Sequence, residues 1–357
     1  MKKSPSGKPT LDPQSPSKIL VLRLRRIGDI VLTTPVLSAL KKAFPLASLT
    51  YVVEEPYVRL VEDNPALDGI ISLKPKSSVR ESWQLIRRIR KERFDAVLDL
   101  HGGPRTSLLT FFSRAGIKVG YLIRGRGWPY DIAIPRSRPE GPIHSIENHL
   151  NLVRALGIPV KEEPALFLPP PRPAEIAGVD RFFKGNKLKG SKIVVLHIGS
   201  GNIFRDWGSG NWSALARRLA AMRGVRVVLM GGPEDRGREK EILEAEAVRA
   251  LSLVGRLSLA ETREVIGRAS LFIGPDSGPM HIAASTPTPI VALFGPNLSA
   301  YNAPRRRRVV IIEKDLDCRP CRQKECRTGD FRCLRTISVD EVFKAGRPFL
   351  LDKKPKK

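Results

Sequence analysis

The sequence has no long apolar run and few aromatic residues. No uninterrupted apolar segment approaches the roughly 18 residues that a membrane-spanning helix needs, and aromatic residues make up 6% of the 357 residues. The first residues, MKKSPSGKPTLDPQSPSK, are basic but no apolar segment follows them, unlike a secretory signal. We therefore expect a cytoplasmic protein, in which residues 1–17, rich in proline, serine and lysine, form a disordered tail.

Two motifs for nucleotide phosphates are also missing. The chain contains neither a Walker A sequence nor a GxGxxG sequence. Hydrolysis of nucleoside triphosphates and hydride transfer from a dinucleotide therefore have no positive support in the sequence.

Acidic residues are scarce relative to basic ones. The chain has 62 Lys and Arg against 36 Asp and Glu, a formal net charge of +26. This surplus attracts anionic partners such as nucleic acid, anionic lipid or phosphorylated substrates, although it also serves solubility. Nucleic acid is the least favoured of these partners, because no nucleic-acid-binding module is recognisable and the basic residues lack an aromatic stacking pattern.

Cysteine is absent outside one short segment, where Cys318, Cys321, Cys326 and Cys333 have the spacing C-x2-C-x4-C-x6-C. A disulfide framework is disfavoured in a cytoplasmic chain. Four thiolates can enclose a structural zinc, but this spacing is tighter than two separated CxxC pairs. A structural zinc and unliganded thiols both remain open.

Strand and helix patterns alternate along the chain. KILVLRL (18–24) is typical of a buried parallel strand, and a glycine turn, a helical pattern and the strand LTYVVEE (49–55) follow it. The alternation stops in a proline-rich stretch and restarts at KIVVLHIG (192–199). We predict two Rossmann-like α/β domains at 18–165 and 174–340, a proline-rich linker at 166–173, and a C-terminal extension with a basic tail at 341–357.

The first candidate for chemistry is Asp29 in the sequence Ile27-Gly28-Asp29. It follows the first strand, and open α/β sheets bind ligands at the carboxyl ends of their strands. Gly28 allows a sharp turn, and a carboxylate is favoured at a helix N-terminus. Position alone favours a helix cap over a catalytic role.

The second half contains two loops of small residues that each follow a strand. HIGSGN (197–202) precedes Arg205, and GPDSGPMH (274–281) precedes an apolar helix. Such loops bring backbone amides close to an oxyanion, and a nearby arginine can pair with a phosphate. A solvated Arg205 and a core His281 are the alternative interpretations. Glu234, after the strand VRVVLMGG, is a candidate for contact with a ribose diol.

Taken in order, these segments resemble glycosyltransferase family 9, the ADP-heptose:lipopolysaccharide heptosyltransferases of the GT-B fold. The matching segments are RRIGDIVLTTPVLSALKKAFP with VVEE, HIGSGN with RDW, MGGPED, and GPDSGPMHIAA with PIVALFGP. Each is loose by itself, but the ordered set is specific and spans roughly residues 18–340.

The resemblance implies an inverting, metal-independent transferase with two Rossmann-like domains facing an interdomain cleft and no cofactor required for catalysis. Asp29 would be the general base, and Arg205 stands where the family commonly has lysine. The implied donor-binding residues are Ser200, Gly201, Arg205, Glu234, Asp276, Ser277, Gly278 and His281, and the implied acceptor-side residues are Arg105 and His144.

The implied partners are a nucleotide-sugar donor and an anionic lipid-linked saccharide on the inner leaflet of the inner membrane. Peripheral contact with that leaflet would use basic residues, which gain free energy near anionic lipid. The candidates are Arg87, Arg88, Arg90, Lys91 and Arg93, together with the cluster of Arg124, Arg126 and Trp128. The alternatives are a related GT-B enzyme with another nucleotide sugar, whether transferase or epimerase, and a nucleic-acid-binding protein. The sequence leaves the oligomeric state open.

Overall fold

The structure is a computed structural model that describes residues 2–3, 9–12, 15, 17–136, 141–161, 163 and 165–351. The chain divides into two compact units, Met1–Pro169 and Pro170–Lys357. This boundary lies inside the proline-rich segment at 166–173.

The first unit is built on a six-stranded parallel sheet with the order β5-β4-β3-β6-β7-β8. Each parallel neighbour is reached by a crossover through a helix or loop, as a doubly wound sheet requires. The strands are β3 (Lys18–Leu22), β4 (Ser48–Glu54), β5 (Gly69–Leu73), β6 (Ala96–Asp99), β7 (Ile117–Leu122) and β8 (Ile132–Pro135).

One helical segment of the first unit differs from the predicted pattern. The segment after β3 forms two helices instead of one, and Pro35 occupies the first turn of the second, a position that tolerates a missing N–H. The basic helix begins at Val79, where Ser78 and Glu81 form a capping box. The helices are α1 (Ile27–Val31), α2 (Thr34–Ala43), α3 (Val79–Glu92), α4 (Pro104–Ser113) and α5 (Ser145–Arg154), with a 3-10 helix at Glu55–Leu60.

The second unit repeats the same architecture, with a parallel sheet of order β11-β10-β9-β12-β13-β14. Its strands are β9 (Lys192–His197), β10 (Val225–Met230), β11 (Ala250–Ser252), β12 (Leu271–Pro275), β13 (Ile290–Phe294) and β14 (Val309–Glu313). Its helices are α6 (Pro173–Gly185), α7 (Ser209–Ala220), α8 (Arg236–Glu244), α9 (Leu259–Arg268), α10 (Gly278–Ala284), α11 (Ser299–Asn302), α12 (Arg332–Arg335) and α13 (Val339–Leu351), with 3-10 turns at Ile203–Arg205 and Pro233–Asp235. Both units are therefore Rossmann-like.

Each unit has its own apolar core. In the first, Leu20, Val52 and Val97 pack under α3 and α4. In the second, α13 continues past the predicted boundary at 340, and its Val342 and Leu350 are buried in the core. This C-terminal helix is therefore part of the second unit.

The two ends of the chain are described only in part. Of residues 1–17, the structure describes 2–3, 9–12, 15 and 17, and the short strands β1 (Lys2–Lys3) and β2 (Pro9–Thr10) pair antiparallel there. The rest of that segment and the basic tail at 352–357 lie outside the described residues. Across the described part of the chain, no helix combines the length and apolar character needed to cross a bilayer.

Candidate active site

Asp29 lies at the carboxyl edge of the first sheet, in the first turn of α1. Its Oδ2 accepts the backbone N–H of Arg26 at 3.2 Å and pairs with Arg23 Nη2 at 2.8 Å. The Asp29 side chain is 47% exposed, whereas the Arg23 side chain is 5% exposed. Asp29 thus caps the helix and also presents a carboxylate to solvent, so the two interpretations of this residue are compatible.

Backbone carbonyl groups hold the Arg23 guanidinium in place beside the carboxylate of Asp29. It donates to the carbonyl oxygen of Leu100 at 2.6 Å and to that of Arg25 at 3.1 Å. Burial opposes ionisation of Asp29, but the charge of Arg23 and the Arg26 amide outweigh it, so the pKa of Asp29 lies below its usual value. The carboxylate is therefore ionised and able to accept a proton at neutral pH.

His101 is a site residue that the sequence analysis missed. It follows β6, the neighbour of β3, and its Nδ1 is buried with no hydrogen-bond partner among the described residues. Burial, and then the charge of Arg23, lower the pKa of His101 to about 4, while the charge of Asp29 opposes this. The imidazole is neutral at physiological pH. The signal in the sequence was its position directly after the apolar segment DAVLDL (95–100).

Asp99 orders the loop that carries His101. Its Oδ1 accepts the backbone N–H groups of His101 at 2.9 Å and Gly102 at 2.8 Å, and its Oδ2 accepts the hydroxyl of Tyr130 at 2.7 Å. Asp99 is fully buried, and burial raises its pKa in spite of these bonds. Its contacts make it a structural anchor of the loop.

The two predicted acceptor-side residues have different environments. Arg105 is half-buried at the start of α4 and donates to the carbonyl oxygen of Lys74 at 3.0 Å and to Ser77 Oγ at 2.6 Å. His144 is 3% exposed and caps α5, where its Nδ1 accepts the N–H of Ile146 at 3.3 Å. This capping bond gives His144 a structural role.

In the second unit, Arg205 joins the two predicted phosphate loops. Its Nη1 donates to the carbonyl oxygen of Asp276 at 2.9 Å and lies 3.6 Å from Asp276 Oδ2. The two loops follow β9 and β12, which are neighbours at the point where the strand order reverses. Ligands bind at this switch point in doubly wound sheets.

The GPDSG loop presents polar groups at the end of β12. Asp276 is 3% exposed, and His281 Nε2 lies 4.0 Å from its Oδ1. Ser277 is buried, and its hydroxyl has no hydrogen-bond partner among the described residues. Gly278 begins α10 next to this hydroxyl. A buried hydroxyl without a partner is costly unless a ligand or water satisfies it.

The loop after β9 contains the other predicted donor residues. Gly201 has φ +58°, a left-handed conformation that favours glycine, and Ser200 Oγ donates to the carbonyl oxygen of Asn202 at 2.7 Å. This bond and the conformation of Gly201 shape the backbone between β9 and Arg205. Ser200 is half-buried and Gly201 is exposed.

Gln323, from the cysteine-rich segment, also contributes to this site and was missed. Its Oε1 accepts from Arg205 Nε at 3.0 Å and from Asn202 Nδ2 at 2.9 Å, and its Nε2 donates to Asn297 Oδ1 at 2.9 Å. Asn297 Nδ2 in turn donates to Asp276 Oδ2 at 2.7 Å. One amide side chain therefore connects three loops of the candidate site.

Glu234 and Asp235 have opposite environments. Glu234 is exposed, with no side-chain hydrogen bond or ion pair to any residue that the structure describes. Asp235 is 4% exposed and pairs with Arg238 Nη1 at 2.7 Å, and Arg238 also binds Asp206 at 3.0 Å. Asp235 is structural, so Glu234 is the carboxylate available to a ligand.

The four cysteines line one cavity together with Phe204 and Phe331. All four are free thiols, and among the described residues no group of three or more His, Cys, Asp or Glu side chains is arranged to hold a metal ion. The expectation of a structural zinc is therefore not supported by this geometry. The only Asp-x-Asp sequence, Asp315-Leu316-Asp317, directly precedes the cysteines, and both of its carboxylates are exposed.

Each unit thus has a polar site at its own switch point. The first has an ionised carboxylate fixed by a buried arginine, which suits acceptance of a proton. The second has a fixed guanidinium and a buried hydroxyl in small-residue loops, which suits a phosphorylated ligand.

Comparison with known proteins identifies one glycosyltransferase family. The family model described as "Glycosyltransferase family 9 (heptosyltransferase)" matches residues 82–331. Lipopolysaccharide heptosyltransferase 3 of Escherichia coli is 29% identical over 290 residues, which are 76% of this chain and 82% of that protein.

Solved structures of similar proteins cover nearly the whole chain. The glycosyl transferase family 9 protein from Veillonella parvula has a TM-score of 0.85 and 25% identity, over 96% of this chain and 99% of that one. The E. coli heptosyltransferase WaaC with ADP-2-deoxy-2-fluoro heptose has a TM-score of 0.65 and 18% identity, over 92% and 98% of the two chains.

Proposed function

Because the chain belongs to glycosyltransferase family 9 and is a glycosyltransferase, we propose that it transfers heptose from ADP-heptose to the inner core of lipopolysaccharide. The names of its relatives support this donor and this acceptor. The proposal rests on one observation, the hydrogen bond from Arg205 to the carbonyl oxygen of Asp276, because this bond fixes a cation between two small-residue loops.

Arg205 binds the donor diphosphate. Its Nε and Nη1 are occupied by Gln323 and Asp276, and its Nη2 makes no hydrogen bond to the described residues. The guanidinium is thereby held in one orientation with one edge available, and preorganised donors of this kind stabilise developing charge most effectively. Ser277 supplies a hydroxyl for the same ligand, and Glu234 accepts hydrogen bonds from the ribose. Ser200, Gly201, Gly278 and His281 complete the donor site.

Asp29 is the general base. It takes the proton from the acceptor hydroxyl as that oxygen forms a bond to the anomeric carbon of heptose. The bond from the anomeric carbon to the diphosphate breaks, and ADP leaves with the bonding electron pair. Attack from the face opposite ADP inverts the anomeric configuration. A positioned base of this type contributes about 10²–10⁴-fold to the rate.

The reaction is metal-independent in this proposal. The charge that develops on the leaving diphosphate is stabilised by Arg205, whose planar fork suits phosphate oxygens. Arg205 stands where the family commonly has lysine, and the substitution keeps the positive charge and presents it on a planar guanidinium.

The acceptor is an anionic lipid-linked saccharide. Arg105 contacts it from the start of α4, at the same sheet edge as Asp29. The enzyme works in the cytoplasm in peripheral contact with the inner leaflet, which the net charge of +26 favours.

A thermal-shift screen of ADP-heptose against UDP- and GDP-sugars tests the donor. A ligand at a hundred times its dissociation constant stabilises the native state by about 2.7 kcal/mol, so ADP-heptose should raise the melting temperature most. Stabilisation by another nucleotide sugar would identify a different GT-B transferase. Turnover of the donor sugar without any acceptor would identify an epimerase.

A further inference from the structure

An apolar patch is exposed on the first unit. Large apolar side chains that a folded protein normally covers are half open to solvent here, with exposures of 48% to 60%. The patch, called the aromatic patch below, consists of Trp83, Leu108, Phe111, Leu122 and Trp128. A cluster of this kind on a soluble unit usually marks an interaction surface.

The aromatic rings of this surface form one continuous row. The ring centroids of Trp83 and Phe112 are 5.7 Å apart, those of Phe112 and Phe111 5.1 Å, and those of Phe111 and Trp128 4.9 Å. Leu122 lies against Gly127, the residue before Trp128. The row therefore crosses from α3 over α4 to the loop after β7.

Arginines surround the aromatic patch. Arg80 and Arg87 flank Trp83 at helical spacing on α3, Arg114 ends α4, and two more lie between Leu122 and Trp128. None of the five forms an ion pair with a carboxylate of the described residues, and the sequence from 104 to 130 contains no Asp or Glu. The surrounding arginines are Arg80, Arg87, Arg114, Arg124 and Arg126.

The aromatic patch is connected to the acceptor side through α4. This helix begins at Pro104 and carries Arg105 in its first turn, and Leu108 and Phe111 follow at intervals of three residues. A surface that contacts Leu108 and Phe111 is therefore one to two helical turns from Arg105, about 5–9 Å along the axis.

We propose that the aromatic patch inserts into the interfacial layer of an anionic bilayer, while the surrounding arginines contact the lipid phosphates. This inference rests on the proposed function, because it names the surface through which the enzyme meets a lipid-linked acceptor. Tryptophan favours the interfacial layer, and phenylalanine and leucine beside it insert at the boundary of headgroups and acyl chains. Each arginine near an anionic leaflet adds about fivefold in affinity.

Two other occupants fit less well. A second copy of the chain would bring two arginine-bordered surfaces of like charge together, which is unfavourable. Single-stranded nucleic acid needs ring faces on which bases stack, but Phe111 contacts Trp128 and Phe112 edge-to-face, at 62° and 77°. An exposed apolar surface with a cationic border is best matched by a lipid leaflet.

Vesicle flotation with paired variants tests the proposal. We expect the wild-type chain to float with phosphatidylglycerol-containing vesicles and much less with phosphatidylcholine alone. Phe111→Ser/Trp128→Ser should weaken this partition about tenfold or more, and Arg124→Glu/Arg126→Glu about 25-fold or more. The matched controls Leu46→Ser, at a 61% exposed leucine of the same unit, and Arg217→Glu/Arg223→Glu, at exposed arginines of the second unit, should float as wild type.

Tryptophan fluorescence gives an independent measurement. The chain has four tryptophans, and Trp207 and Trp212 are buried in the second unit. Anionic vesicles should therefore shift only the emission of Trp83 and Trp128 to shorter wavelength, and brominated lipid should quench it. Trp128→Phe keeps an apolar ring and should keep flotation while reducing the quenched signal.

Several outcomes would overturn the proposal. These are flotation unchanged in both double variants, no quenching by brominated lipid, a dimer in sedimentation velocity that Phe111→Ser/Trp128→Ser dissociates, or binding of single-stranded DNA at physiological salt that the same variant abolishes. Turnover with a water-soluble, delipidated core acceptor separates the two proposals. Failure of wild-type turnover there would count against heptosyl transfer, whereas normal turnover without vesicle binding would count only against the aromatic patch.

Discussion

Replacement of Asp29 by Asn removes the carboxylate charge with minimal change of shape. The amide oxygen can still accept the N–H of Arg26 and a hydrogen bond from Arg23, so α1 keeps its cap. The side chain can no longer accept a proton. Loss of a general base lowers kcat by about 10²–10⁴-fold, or about 3–5 kcal/mol in the barrier.

The cost in stability should be small by comparison. Arg23 is buried but Asp29 is half-exposed, so the pair lies between the exposed pairs, worth about 0–1 kcal/mol, and the buried pairs, about 3–5 kcal/mol. We expect a loss of about 1–2 kcal/mol in the free energy of unfolding. ADP-heptose should stabilise the variant as it does the wild type, because the proposed donor residues belong to the second unit.

Asp68→Asn is the matched control. Asp68 also pairs with a basic side chain, Lys41 at 3.1 Å, and accepts a backbone N–H, from Leu49 at 2.9 Å. Steady-state transfer of radiolabelled heptose measures both variants. If Asp29→Asn kept kcat within tenfold of wild type, or if Asp68→Asn lost as much, the assignment of Asp29 as base would be refuted.

Three further predictions follow from the contacts. Burial lowers the pKa values of His101 and His197 to about 4 and lowers that of His149 as well, so these residues are neutral when folded and protonate more readily when unfolded. The free energy of unfolding should therefore be highest above about pH 6.5 and should fall as the pH drops towards 4, by up to about 1.4 kcal/mol per pH unit for each histidine. A melting temperature that stays constant over this range would contradict the argument from burial. Gln323→Ala removes the acceptor of Arg205 Nε and should raise the KM for the donor about tenfold with a smaller effect on kcat. The reason is that one hydrogen bond to a charged group is worth about 1.5–3 kcal/mol. The control is Gln84→Ala at an exposed glutamine, and an equal effect of both substitutions would exclude a positioning role for Gln323. Hydrogen bonding to Thr328 lowers the pKa of Cys326, and burial raises the pKa of Cys333. Mass spectrometry after brief iodoacetamide treatment should therefore find Cys326 alkylated before Cys333, because the thiolate is the reactive form. The reverse order would count against the described geometry.

Strong local patterns predicted most of the fold. The buried strands β3, β9 and β13 are continuous apolar runs, so their position and the two Rossmann-like units were evident. The edge strand β8 is short and half-buried, and α8 has only one buried residue, Ile242, so neither produces a clear period. The extension beyond 340 was separated from the second unit because packing of α13 on β12 and β13 is a long-range contact.

The candidate site was predictable only where a residue lies in the short segment that follows a buried strand. Asp276 follows β12 directly, whereas Asp29 and Arg205 lie in the short segments after β3 and β9, within eight residues of the strand ends. The contact of Gln323 with Arg205 spans 118 residues, and no local spacing encodes it. His101 followed a strand as well, but its lowered pKa depends on the burial and the Arg23 charge that only the fold creates.

The buried Arg23 beneath Asp29 has a consequence for the timing of proton transfer. A carboxylate whose conjugate acid is this strong holds a proton only weakly, so it gains little by removing one from an alcohol at the start of the reaction. The hydroxyl becomes acidic enough only once its oxygen is largely bonded to carbon. Under the proposed role of Asp29, the bond between the anomeric carbon and the diphosphate therefore breaks ahead of proton transfer. The sugar passes through an oxocarbenium-like stage while the proton is still on the incoming oxygen.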